Sequence, residues 1–71
     1  MQIKKYICLK MFTILDLIFE KGEYLYISTN YRDGKTYDVR KVFNSNKQYL
    51  GTIKDDYYYD LTKWYIEIKE C

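Results

Sequence analysis

The densest run of side chains able to recognise another molecule is Asp55-Asp56-Tyr57-Tyr58-Tyr59-Asp60. Tyrosine combines a rigid apolar body with a polar tip and is enriched among the residues that dominate interface energetics. Neighbouring side chains diverge on both strands and helices, so three consecutive tyrosines cannot all point inward. At least one ring is expected at the surface, and the triplet reads either as a lid over one open end of the core with its hydroxyls in water or as a partner surface. The flanking carboxylates suit a partner with a basic surface. In this reading Tyr57, Tyr58 and Tyr59 make the contacts, and Asp55, Asp56 and Asp60 orient them. Arg32 and Lys35, on either side of Asp33-Gly34, are a second candidate, because loops on a rigid scaffold commonly carry recognition.

Chemistry on a substrate has far less material. The chain has no histidine, which removes the commonest general base and the commonest metal ligand. Its serines are Ser28 and Ser45, and no glycine-rich phosphate loop is present. Cys8 lies in an apolar strand pattern, where a thiol is expected to be inert. Cys71 ends the chain, and no C-x-x-C pair exists to hold zinc. Two cysteines are too few for the disulfide framework of a small secreted domain, so both are expected as free thiols. The expectation is a non-enzymatic protein without cofactor or metal.

These residues must be positioned by 71 residues carrying 12 basic and 10 acidic side chains, for a formal net charge of +2. That length suits one domain. It leaves no room for a deep substrate cavity beside a core, since a domain this small buries only about 60% of its unfolded surface. With 48% hydrophobic and 20% aromatic residues, the composition is that of a globular chain. The longest apolar run, from Ile14 to Phe19, is broken by Asp16 and falls far short of the roughly 20 residues of a membrane span. Lys10 interrupts any signal-peptide pattern near the N-terminus. A cytoplasmic location is expected.

The periodicity is that of strands. Alanine, the best helix former, and proline are both absent, while β-branched and aromatic residues dominate. Ile3 to Met11 reads as a first strand with imperfect alternation. Phe12 to Phe19 reads as a strand or packed loop, followed by a turn in which Gly22 supplies a positive φ. Tyr24 to Ile27 places Leu25 and Ile27 in the core and both tyrosines on the other face. Asp33-Gly34 predicts a two-residue primed turn, joining a strand that ends near Tyr31 to one that starts near Thr36. That partner strand runs to Phe43, with Val42 and Phe43 suggesting a bulge. Asn44-Ser45-Asn46-Lys47 is a second turn. Gln48 to Ile53 is the next strand, in which Gly51 marks a close backbone approach or tight bend. Lys54 to Lys63 predicts a helical turn capped by Asp56 or Asp60, or a loop insertion. Trp64 to Ile68 closes the chain as a strand, with Trp64, Ile66 and Ile68 on one face. Five strands in this length predict an all-β, small, partly open barrel, because closure hides sheet edges.

The block Asp16-Leu17-Ile18-Phe19-Glu20-Lys21-Gly22-Glu23-Tyr24-Leu25-Tyr26-Ile27 resembles the diverging-turn segment of Src-homology-3 (SH3) domains. Cys8-Leu9-Lys10-Met11-Phe12 lies where that family has its Ala-Leu-Tyr-Asp-Tyr stretch, and Asp33-Gly34 falls in the following hairpin loop. Gly51-Thr52-Ile53 is similar to the family's Gly-x-Ile before a short helical turn, and Trp64-Tyr65-Ile66-Glu67 to its Asn-Tyr-Val-Glu ending. The resemblance spans about residues 6 to 68 and implies an SH3-like barrel of a bacterial or phage kind. Its departures bear on function. Lys10-Met11-Phe12 replaces the Tyr-x-Tyr pair, Thr36-Tyr37 stands near the position of the missing tryptophan pair, and Lys54 to Lys63 is an insertion. Only Phe12, Tyr37 and Tyr65 remain to line a polyproline groove, so recognition of proline-rich peptides does not carry over.

The reading that follows is a small monomeric barrel that binds another protein. Its composition points to an AT-rich genome and its length to a phage or mobile element, where inhibiting a host protein such as a defence nuclease needs only a surface. A nucleic-acid-binding barrel is the alternative, since lysine with exposed tyrosine is the composition of single-strand grooves, although +2 is a small basic excess. A structural component of a phage particle is the third possibility.

Overall fold

The computed structural model describes residues 2–34 and 37–69, apart from the side chains of Asp33 and Tyr37. Eight strands and one helix follow in order. They are β1 (Ile3–Cys8), β2 (Phe12–Ile14), β3 (Leu17–Phe19), β4 (Tyr24–Ser28), β5 (Tyr31–Asp33), β6 (Tyr37–Phe43), β7 (Tyr49–Lys54), α1 (Asp55–Trp64) and β8 (Ile66–Ile68). The main sheet is antiparallel and runs β8-β1-β4-β6-β7, with β5 following β4 along the same edge of β6. It curls into an open half-barrel, and β2 and β3 form a separate hairpin.

The five strands expected from alternation are the five positions across this sheet. Inward-facing residues alternate as the pattern requires: Tyr6 and Cys8 on β1, Leu25 and Ile27 on β4, Val42 on β6, Ile53 on β7 and Ile66 on β8 are all buried. Each such aliphatic side chain contributes about 1.5–3 kcal/mol of burial. The hairpin closes one end with Phe12 and Phe19, whose rings stack 5.4 Å apart, and with Ile14. Tyr58 and Leu61 of α1 complete the core. The expected bulge is present as a register shift between Val42 and Phe43. Asn44 organises the second turn, its Oδ1 accepting from the backbone N–H groups of Asn46 (2.9 Å) and Gln48 (3.0 Å). Gly22 has the positive φ its turn demands, at 90°.

Four expectations need correction. The first strand ends at Cys8 rather than Met11, because the chain turns there into the hairpin. The two-residue primed turn is not at Asp33-Gly34, since the register pairs Asp33 with Tyr37 and leaves three residues between them. It lies instead at Leu15-Asp16, between paired Ile14 and Leu17, with φ of 54° and 61°. Positive φ at both central positions is the type I′ form of the primed turn, and leucine is a costly residue to place there. The segment after β7 is a ten-residue helix rather than a single turn or loop. Its N-cap is Lys54, with no side-chain cap hydrogen bond, and Asp56 and Asp60 lie within it. Trp64 consequently ends the helix and is exposed, Ile68 is exposed too, and of that trio only Ile66 enters the core.

Among the described residues no helix is long and apolar enough to cross a membrane. Lys35 and Cys71 lie outside the described residues.

Candidate functional site

Helix α1 exists despite its three tyrosines because its inward positions are well partnered. Asp55 and Asp56 occupy the first turn and Lys63 the last, as the helix dipole favours. Successive side chains turn by about 100° on a helix, so the tyrosine triplet is divided. Tyr58 points in and is only 8% exposed, whereas Tyr57 and Tyr59 are 43% and 59% exposed.

Tyr58 is held by Tyr6 and Arg40. Its hydroxyl lies 2.9 Å from that of Tyr6, 52 positions earlier, and the two rings meet edge-to-face at 6.0 Å. The Arg40 guanidinium lies over its face, 3.5 Å from the centroid. Arg40 in turn donates from Nε to Asp55 Oδ1 at 2.6 Å and from Nη1 to the carbonyl of Ser28 at 3.3 Å. Both members of this ion pair are largely covered. Burial alone would lower the Arg40 pKa, but the hydrogen bond and charge of Asp55 outweigh it and raise the value. Burial first, and then the Tyr58 hydroxyl, pushes the Tyr6 phenol well above its ordinary range. Cys8 is a buried free thiol, raised to about 11 by burial and by the charge of Glu23.

Tyr58 is therefore a core residue and not a partner contact, its hydroxyl bonded to Tyr6 rather than in water as a lid would have it, and Asp55 is committed to Arg40. The remaining side chains face outward. Tyr59, Asp56 and Asp60 are exposed on one side of α1, with Asp56 and Asp60 four residues apart on the same face. Tyr57 leans toward the hairpin, its hydroxyl donating to the Thr13 carbonyl at 3.3 Å. Between them lies an open, mainly apolar groove of about 400 Å³, walled by Thr13, Ile14, Leu15 and Asp16 on one side and Ile53, Lys54 and Tyr57 on the other. The strained Leu15-Asp16 turn forms its lip.

Arg32 is exposed on β5, 3.8 Å from Asp38 on β6, and does not line the groove. The helix and the hairpin tip are thus separate candidates. Sequence reading missed Arg40 and the β2–β3 turn. Arg40 shares the parity of buried Val42 on β6, and that inward position was the available signal. Comparison with protein-family models, curated proteins and solved structures yields no match.

Proposed function

We propose that the chain is a small, non-enzymatic protein-binding module on an SH3-like barrel, and that it docks its partner on the outer side of α1 and the adjoining groove. The observation that carries this reading is the divided triplet. Tyr57 and Tyr59 remain exposed on a helix that Tyr58 pins to the core, so two aromatic anchors are presented on a backbone that is already ordered. Asp56 and Asp60 beside them favour a basic partner surface. The positive-φ Leu15 at the groove's lip fits the tendency of backbone strain to collect at binding sites. The curled sheet β8-β1-β4-β6-β7, with the hairpin inserted between β1 and β4, is compatible with a small barrel. Inhibition of a host protein by a phage-encoded chain is the form of this function that the composition favours.

The test is capture of a partner on the immobilised chain, with nuclease treatment in parallel, followed by affinity measurement with the purified partner. A single stoichiometric protein should be retained with or without nuclease. Tyr59→Ala combined with Asp60→Lys should weaken it at least about a hundredfold, a loss of about 3 kcal/mol. Unchanged affinity in that variant would remove the helix as the docking surface.

A further inference from the structure

The outer face of the sheet carries a second, differently charged arrangement. Strand register places Lys5 opposite Tyr26, Tyr26 opposite Phe43 and Phe43 opposite Tyr49. One row of side chains thus crosses β1, β4, β6 and β7, about 14 Å at the usual strand spacing. Leu25, Ile27 and Val42 point the other way, into the core, so alternation puts this row outside. Lysines flank its rings. Lys5 Nζ is 4.2 Å from the Tyr24 ring, Lys47 Nζ 5.2 Å from Tyr26, and Lys41 Nζ 5.8 Å from Tyr49. At one end of the row an open groove of about 560 Å³ is lined by Lys4, Lys5, Lys47 and Lys69 around Tyr26, and no carboxylate lines it among the described residues. Nor, among the described residues, does any of these lysines or Lys41 take part in an ion pair. Among the described residues the nearest acid by register is Glu67, opposite Ile7 on the same face of the sheet and outside the groove.

We propose that this face binds single-stranded nucleic acid, with phosphates following Lys5, Lys41, Lys47 and Lys69 and bases stacking on Tyr26 and Tyr49. Uncompensated lysines select a polyanion, and the aromatic row selects one with flat π-faces. That combination is what a single strand offers and what an acidic peptide or a duplex with stacked bases does not. The small net charge is no obstacle, because the local balance decides: Asp55, Asp56 and Asp60 lie on α1, away from the groove that Lys5, Lys47 and Lys69 line.

The experiment is fluorescence anisotropy of labelled oligothymidylate and oligouridylate, about ten nucleotides long, titrated with the full chain. Dissociation constants between about 1 and 100 µM are expected at physiological salt. Four phosphate contacts at about 0.7 each predict a log–log salt slope near −3, which is about a fiftyfold loss between 50 and 200 mM salt. Lys47→Glu with Lys69→Glu should cost at least tenfold and flatten the slope. Tyr49→Ser, at an exposed position, should cost about tenfold and leave the slope intact, whereas Tyr26→Phe should retain binding. Tyr59→Ala on the helix should change nothing, which keeps this proposal separable from the protein-binding one. Three results overturn it: no binding at 20 mM salt, equal affinity for duplex and heparin with Tyr49→Ser neutral, or preference for anionic vesicles over both oligonucleotides.

Discussion

The outer side of α1 and the outer face of the sheet use the same aromatic residue with opposite charges. On the helix, Tyr57 and Tyr59 stand among Asp56 and Asp60. On the sheet, Tyr24, Tyr26 and Tyr49 stand among lysines that lie over their rings. The two surfaces also differ in what holds them. The sheet face is fixed by backbone ladders on β1, β4, β6 and β7, while the helix face is fixed by a few side chains: Tyr58, Leu61 and the Asp55–Arg40 pair. Breaking a side-chain anchor should therefore loosen one surface much more than the other.

The largest expected effect is at Tyr58. Tyr58→Ala removes a buried ring, leaves the Tyr6 hydroxyl without its partner and uncovers Arg40, and should cost about 3–5 kcal/mol of stability. Tyr58→Phe removes only the hydroxyl contact and should cost about 1–3 kcal/mol, the usual penalty for an orphaned buried polar group. Urea unfolding measures both. In native-state hydrogen exchange, amides of α1 should lose protection in Tyr58→Phe before those of β1 and β4 do. Simultaneous loss across helix and sheet would mean that the two surfaces are not independently anchored.

Alkaline pH sharpens the same contrast without mutation. Folding raises the pKa values of both Tyr6 and Cys8, so their neutral forms are favoured in the native state. The sign follows from linkage: a group whose native pKa lies above its unfolded value stabilises fully below the unfolded value, and that stability is lost as pH rises toward the native one. For Cys8 the window runs from 9.0 to about 11, and for Tyr6 the loss begins near 10.0. The midpoint of thermal unfolding should hold steady up to about pH 9 and then fall. In a Cys71→Ser background, Cys8 should react with a thiol reagent at pH 8 only on unfolding. Rapid modification of the native protein would place the thiol outside the core.

What was legible in the sequence divides along physical lines. Alternation in Tyr24-Leu25-Tyr26-Ile27 reports a strand with one buried face, and β4 is that strand. Turn chemistry at Gly22 and Asn44 is local and was equally readable. The triplet announced itself because its members are adjacent, and the divergence of neighbouring side chains required at least one ring to lie outside. The sheet row was hidden because residues 5, 26, 43 and 49 meet only through strand register, which no local pattern contains. Helix α1 was underestimated for a related reason. Its stability rests on Tyr6, Arg40 and the sheet beneath it, partners remote in sequence, rather than on its own propensity or a cap. The primed turn was misplaced because Asp-Gly is the stronger local signal, whereas Leu15-Asp16 is imposed by the pairing of Phe12 with Phe19 and Ile14 with Leu17.

That misplaced turn gives the smallest effect and the finest test of the helix surface. Leu15 and Asp16 both occupy a backbone region that L-residues rarely adopt, and both line the groove beside Tyr57. Replacing them by the pair that a primed turn prefers, Leu15→Asn with Asp16→Gly, relieves the strain and should raise stability by about 1 kcal/mol. The gain is limited because Leu15 also packs near Gly51, where a Cβ would lie 2.9 Å from its Cδ1, and asparagine forgoes part of that contact. If the groove belongs to the docking surface, this more stable variant should bind the protein partner several-fold more weakly. Its affinity for oligothymidylate should be unchanged, since the turn is not part of the lysine-lined groove of the sheet. A variant that is both more stable and fully competent for the protein partner would confine the docking surface to α1 and leave the strain at Leu15 as a consequence of hairpin pairing alone.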